Sequence, residues 1–476
     1  MKIRDGLVRD TNVIALPTNQ RWFSFPTWRC STLLALSCCL ATVDVAWSQS
    51  GVGKAKGTKP APPAIPKGST PTLVIDPETL PADFVPPKEI DQRIIDITPL
   101  ALPDEMEKLK KDDPKFLQAL NRASPDDASK AVIRNSIRYR LSLMCQDKHL
   151  QKEKLPELYK LRVDLLRALN GAGSTSKDLK PDALRKFRHD VMQEFVKQAT
   201  PLLQNNLYVR VQVVIMMGEL EVVQEDTKKG VATEAFTPAF EPLVSAIVDP
   251  KQADSVKLLA VNKLTRILKI GTPKVDERTK IAEAMIGELA KPQTHWWIQM
   301  RLAEGLGAIA LDQLKQPIVV TALKDVVSDP KREWAVRVEA AKALGRVPLP
   351  PASNPSSVVL AIADLTLQMA KAAQQKPGDP HWKSDFMKIY FAFQAMDANE
   401  KDATKNGKAG LLNNAVATGL AKTPYSLIIP MVNAIRKDER LTAAQLAALE
   451  EWLKANRAGG GQNNPPPVDP KGPDGP

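Results

Sequence analysis

The stretch WAVRVEAAKALGRV, residues 334–347, places Val336, Ala340, Leu344 and Val347 at successive steps of four, four and three. That spacing follows the turn of an α-helix, so the four side chains share one face. Three upstream segments repeat the steps: Ile298, Leu302, Leu306 and Ile309; Val256, Ala260, Leu264 and Ile267; and Val209, Val213, Met217 and Leu220. A helix that recurs in this way marks an array of similar units.

Positions off the apolar face recur in the same register. The residue after the first apolar position is Arg210, Lys257, Gln299 or Arg337, and the residue after the third is Gly218, Thr265, Gly307 or Gly345. A glycine inside a helix costs about 1 kcal/mol relative to alanine, so its recurrence predicts a place where another helix must come close. Pro250, Pro292 and Pro330 each stand six residues before the first apolar position, and Asp249 and Asp329 precede two of them. Asp-Pro there predicts the end of one helix and the start of the next, because the residue before proline is pushed out of the α region and proline is tolerated in a first turn.

Successive copies begin at Val209, Val256, Ile298 and Val336, which gives offsets of 47, 42 and 38 residues. These spacings, and the string VRVEAAKALG, resemble the HEAT and armadillo type of helical repeat over residues 126–347. The resemblance implies an all-α fold, a right-handed α-solenoid of HEAT-like helical hairpins, and recognition over an extended surface; it carries no particular chemistry. Ile133, Ile137, Leu141 and Met144 follow the same steps, with Arg134 after the first, and extend the pattern toward the N-terminus.

The 476 residues include 66 basic and 54 acidic ones, a net charge of +12. The two signs are interspersed along almost every predicted helix, as on solvated faces, while the excess permits weak attraction to polyanions. Of the cysteines, Cys30, Cys38 and Cys39 fall in the N-terminal leader, leaving Cys145 alone. It follows Met144 at the end of an apolar helix and reads as a buried thiol without a disulfide.

Residues 1–48 read as a signal peptide. Arg21 and Arg29 precede an apolar run at 33–43, and Ala46 and Ser48 supply the small residues a signal peptidase reads, so the protein is expected to be exported, periplasmic or extracellular. Residues 49–103, with KAKGTKPAPPAIPKGSTP, read as a flexible Pro/Lys-rich linker. The repeat array is expected over 104–347, degenerate repeats and capping helices over 348–457, and a disordered Gly/Pro-rich tail over 458–476. Helices are predicted, among others, at 207–224, 296–311, 410–421 and 424–436. Asp379-Pro380 precedes an apolar pair, Phe386 and Tyr390, whose face then turns polar at Gln394 and Asp397. Thr442, with Gln445 three residues on, predicts an N-cap box. No segment after the leader is apolar enough to be expected to cross a membrane.

The chain contains no HExxH, GxSxG, Walker A, GxGxxG or CxxC pattern, and His149, His189, His295 and His381 are far apart in sequence. No catalytic residue, cofactor or metal ligand is therefore assigned. Two patterns point instead to binding. His295-Trp296-Trp297 opens one repeat helix and Trp334 holds the position equivalent to Trp296, giving either an aromatic ledge for a peptide or sugar or a plug for the seam between repeats. Arg134, Arg210, Lys257 and Arg337 would align as a basic row, either facing acidic partners or paired with acids of adjacent turns. The expected function is that of a non-enzymatic exported scaffold or adaptor whose surface binds a protein partner. The alternative is a binder of an anionic polymer, cell-envelope polymer or nucleic acid, through the basic row; a lyase-like enzyme is a third reading.

Overall fold

The computed structural model describes residues 97–458 apart from 125, 151, 177–178, 229 and 395–409, and these are mostly helical. The predicted signal peptide, nearly all of the linker and the tail from 459 lie outside the described residues. The chain divides into two units, Met1–Phe84 and Val85–Pro476, and everything below concerns the second.

Its helices are α1 (Pro103–Lys110), α2 (Phe116–Arg122), α3 (Asp127–Met144), α4 (Leu155–Asn170), α5 (Pro181–Ala199), α6 (Leu207–Glu219), α7 (Phe240–Val248) and α8 (Asp254–Ile270). They continue with α9 (Val275–Leu289), α10 (Trp296–Leu306), α11 (Gln316–Ser328), α12 (Trp334–Leu344), α13 (Pro355–Gln375), α14 (His381–Phe393), α15 (Thr418–Arg436) and α16 (Ala443–Ala458). Helices alternate between two files. In one, α6 packs on α8, α8 on α10, α10 on α12 and α12 on α14; in the other, α7 packs on α9, α9 on α11, α11 on α13 and α13 on α15. Within each hairpin the files meet, α7 with α8, α9 with α10 and α11 with α12.

The apolar face predicted for each repeat helix is the one that is buried. Val209, Val256, Ile298, Val336 and their partners at steps of four line the core, as do Ile133, Ile137, Leu141 and Met144 of α3. Each such Val, Ile, Leu or Met side chain contributes about 2 kcal/mol by leaving water, and the alanines at the second position less. The small position makes the close approach that its recurrence predicts. A methyl group on Gly307 would stand 2.9 Å from the Ala343 Cβ; one on Gly218 would overlap the Lys263 side chain, and one on Gly345 the Ala392 carbonyl. In the copy that carries Thr265, the glycine is on the other side of the contact: a methyl on Gly305 would lie 2.8 Å from the Thr265 hydroxyl. The residue after the third apolar position of one copy thus packs against the residue before the third apolar position of the next.

That rule corrects the reading of the last copy. Gly345 meets Ala392, so the third apolar position of α14 is Phe393, and the buried face runs Trp382, Asp385, Phe386, Ile389 and Phe393. Tyr390 and Gln394, expected on that face, are only partly buried, and Asp397 lies outside the described residues. The Asp-Pro steps also do less than expected. Helices do end just before Asp249 and Asp329, whose side chains accept the Lys251 and Lys331 amides at 2.8 and 3.0 Å. The next helices, however, start only at Asp254 and Trp334.

Three further boundaries differ from the sequence reading. The helix predicted over 207–224 stops at Glu219, because the Asn170 side-chain amide donates to the Glu219 carbonyl and its oxygen accepts the Glu221 amide. Strand β1 (Glu221–Val223) then pairs antiparallel with β2 (Glu234–Ala235). The helix predicted over 296–311 ends at Leu306, where Gly307 caps it. Of the helix predicted at 410–421 only residues 418–421 are α-helical, and they continue unbroken into the one predicted at 424–436 as α15, which runs through Pro424 and Pro430. Proline holds a helical φ and forfeits one backbone bond there, and the ring of Pro424 is buried.

Helix α13 is long and apolar enough to cross a membrane, against the expectation that no such segment follows the leader. It packs against α11, α15 and α16, and most of it is buried inside the protein, which is how a core helix comes to be apolar all round. Thr442 and Gln445 form the predicted cap box, each side chain accepting the other's backbone N–H, at 3.2 and 2.8 Å. Cys145 is free and buried, and burial pushes its thiol up to about 12.

The close contacts are open to a simple comparison. Gly307→Ala forces a methyl into the α10–α12 contact and is expected to destabilise by about 1–3 kcal/mol. Gly287→Ala, in α9 with open space where the methyl would go, should instead stabilise by about 1 kcal/mol. Urea midpoints of the two variants check both signs.

Candidate partner-binding surface

The basic positions do not form a surface row. Arg210, Lys257 and Arg337 are buried, along with Gln299 at the same register, and only Arg134 is exposed. Each buried member is held by partners that tie one copy to the next. The Arg210 guanidinium donates to the Asn205 carbonyl and, at 2.9 Å, to the Gln252 side-chain oxygen. Lys257 Nζ reaches Glu288 Oε1 at 2.9 Å. Gln299 donates to the Thr294 carbonyl at 2.6 Å and accepts from Arg332 at 2.7 Å. Arg337 donates to the Val327 carbonyl and the Gln368 side chain, at 3.0 and 2.8 Å. All three cations are thus held inside the array; the acid that Lys257 meets belongs to α9 of the following hairpin and not to an adjacent turn, and the Arg337 bonds go to a backbone carbonyl and a glutamine side chain.

Several of the partners escaped the sequence reading, although a signal was present. Gln252, Thr294, Arg332 and Trp382 each stand two residues after the proline that precedes a repeat helix. All four reach back to a backbone carbonyl: Thr294 to Glu288 and Trp382 to Lys376 at the end of the helix just before, Gln252 to Leu203 and Arg332 to Leu289 across the preceding helix, at 3.0 to 3.1 Å.

The tryptophans divide. Trp296 and Trp297 stack on each other with ring centroids 6.2 Å apart and planes 16° apart, and Trp296 is 42% exposed. His295 caps α10, its Nδ1 accepting the Trp297 amide at 3.2 Å, and its ring adjoins Trp296. Trp334, at the equivalent position of α12, is instead half-buried. It lies edge-on to Trp382 of α14 at 5.9 Å, with the Arg337 guanidinium 4.9 Å from its ring centre. Among the described residues no ring contact joins Trp296 or Trp297 to Trp334, so one aromatic pair faces solvent and the other fills a seam.

Charged side chains also tie helices of the file α6, α8, α10, α12 and α14 to one another and, through Glu221, to strand β1. Lys263 pairs with Glu219 at 2.7 Å, Arg266 with Glu221 at 2.5 Å, Lys269 with Glu304 at 3.6 Å and Lys388 with Glu339 at 3.2 Å. Burial pushes the Glu304 carboxyl up, but Arg301 and more distant lysines outweigh it and hold it below its ordinary value. A cavity of about 460 Å³ lies between the loops at 311–316, 345–351 and 413–416, floored by Val347 and Leu349 and edged by Val416. The Gly410 amide donates to the Gly345 carbonyl at 2.6 Å across one side of it.

His381 is the histidine with the most developed surroundings. Its Nδ1 lies 2.5 Å from Asp379 Oδ1, the arrangement of a carboxylate-oriented base, but Nε2 is buried and points toward Asp385 at 4.0 Å. A base needs its free nitrogen within reach of a substrate proton, and this one is buried against its own helix. Among the described residues no group of His, Cys, Asp and Glu has the geometry of a metal site. No family model matches the chain, and no curated protein matches it.

The Lys257–Glu288 pair tests how far the polar contacts hold the array. Burial pushes the Glu288 carboxyl up, while Lys291 and Lys257 together overcome that and hold it below its ordinary value. Glu288→Ala leaves the Lys257 ammonium buried without its acceptor and should cost about 3 kcal/mol at neutral pH. Because the folded carboxyl is the stronger acid, that contribution is present above the ordinary carboxylate range and is lost as pH falls below about 4. Denaturation of wild type and variant at pH 7 and pH 3.5 should show the difference shrinking in acid.

Proposed function

We propose that the protein is an exported, non-enzymatic scaffold or adaptor, built as a right-handed α-solenoid of HEAT-like hairpins, that holds a protein partner along its helix surface. The reading rests first on the stacked Trp296–Trp297 pair. The next copy uses the equivalent tryptophan, Trp334, to fill a seam against Trp382, whereas Trp296 is left 42% exposed. Stacked indoles at the start of a helix offer a large rigid contact area with little rotamer entropy to lose, the character of residues that dominate binding energy at protein interfaces. The alternation of helices in two files supports the solenoid, because each file presents successive helices side by side, the surface on which such arrays make many modest contacts.

Binding of an anionic polymer loses its main support in the burial of Arg210, Lys257 and Arg337, which leaves Arg134 as the exposed member of the proposed row. The net charge of +12 remains in its favour, and salt separates the two readings.

The test is retention of partners from an envelope extract by residues 49–476, washed at low and at high salt. A defined protein should survive the high-salt wash, and Trp296→Ala/Trp297→Ala should reduce its retention at least about tenfold with the circular dichroism unchanged. Recovery of anionic polymer alone, lost at high salt, would overturn the scaffold reading. Export is tested separately: mass spectrometry of the protein from the cell envelope should find an N-terminus at Gln49, and an intact N-terminal leader there would contradict it.

A further inference from the structure

We infer that Asp385 and His381 make the seam between α12 and α14 a proton-operated joint, closed when Asp385 carries its proton and loosened when it is ionised. The register carries the first step of the inference. With Phe393 as the third apolar position of α14, the first is Asp385, so a carboxyl stands where the preceding copies carry Val209, Val256, Ile298 and Val336. It is 4% exposed. The neighbouring position, polar in every earlier copy, is Phe386, so polar and apolar residues have exchanged places.

A carboxylate in such a place requires donors, and the donors near it are either out of reach or paired elsewhere. On its own helix, His381 offers Nε2 at 4.0 Å, beyond hydrogen-bond reach, while its Nδ1 is taken by Asp379. Lys388 is paired with Glu339 of α12, and Glu339 is also bound by Lys342 at 2.6 Å. Arg337 of α12 bonds Val327 and Gln368 and lies against Trp334. From α15, Tyr425 packs on Tyr390 and Phe393, and from α13 the Asp364 carboxylate accepts Arg457. Among the described residues, none donates a hydrogen bond to Asp385.

Burial accordingly pushes its carboxyl up to about 6, against the attraction of Lys388 and His381 and with the repulsion of Asp379 and Glu339. The folded state holds this proton more tightly than the unfolded chain does. Its stabilising effect is therefore complete below the ordinary carboxylate value near 4 and is lost as pH rises through about 6. The loss is expected to fall on α14, which carries Asp385, and on its seam with α12, whose Glu339 acts on the carboxyl. The seam carries its own reporter: Trp382 is buried between Trp334 and His381, with ring centroids at 5.9 and 4.0 Å. It also borders the cavity, since Gly345 at the end of α12 supplies the carbonyl that Gly410 binds.

The experiment is hydrogen exchange of the full chain from pH 4.5 to 8, corrected for intrinsic rates, with tryptophan emission alongside. Protection of α14 should fall about tenfold between pH 5 and 7 while that of α3 stays level. Asp385→Asn, which mimics the protonated group, should hold α14 at its high protection throughout, and Asp385→Val, the residue type of the other copies, should do the same. His381→Gln should keep the transition and move its midpoint upward, since the imidazole's attraction for the carboxylate is removed. A flat wild-type profile, a transition that Asp385→Asn leaves unchanged, or an equal change in α3 would each overturn the proposal.

Discussion

The contact on which the described structure depends is the approach of each repeat helix to the next at a position too tight for an ordinary side chain. Gly218 against Lys263, Thr265 against Gly305, Gly307 against Ala343 and Gly345 against Ala392 fix both the spacing and the register of the file α6, α8, α10, α12 and α14. Helices brought so close exclude water from the flanks of the seam as well as its centre. The side chain after the first apolar position is buried as a result, and a polar group there must find partners within the protein. Arg210, Lys257, Gln299 and Arg337 all do so, and most of their bonds lead to the following copy. Tight packing and buried polarity are thus one constraint seen twice.

The same constraint explains what was legible in the sequence. The apolar steps and the recurrent glycine are local patterns whose physical meaning is fixed by helical geometry, and both carried over to the structure. The recurrent basic residue was equally visible, but its environment was not: whether an arginine beside an apolar stripe faces water or a neighbouring helix depends on how far that neighbour wraps around, which no single helix encodes. The early end of α6 was hidden for a related reason. Glu221, Val222 and Val223 continue an acceptable helical pattern, and it is Asn170, some fifty residues earlier, that captures the Glu219 and Glu221 backbone and turns the chain into a strand. The shift of face in α14 could have been suspected from the crowding of Trp382, Phe386, Ile389 and Phe393, yet only the Gly345 contact decides between two faces one residue apart.

The candidate surface follows from differences among copies. Trp296 and Trp334 open equivalent helices, but only the second has a tryptophan in the next copy to pack against. An array of near-identical units is most informative where the identity lapses, because a residue kept in register without its structural partner needs another explanation. Trp296 is one such lapse and Asp385 another, the first exposed where its counterpart is covered and the second polar where its counterparts are aliphatic.

The polar ties between copies also have a mechanical side. Arg210 to Gln252, Lys257 to Glu288, Gln299 to Arg332 and Arg337 to Gln368 each span 31 to 42 residues and connect adjacent copies only. Tension carried through these four links passes from copy to copy, while Lys388 also reaches back past α12 to the Met300 sulfur of α10 at 3.9 Å. A load on such ties is shared unequally, because each one that breaks frees a single copy from its neighbour and leaves the other ties in place.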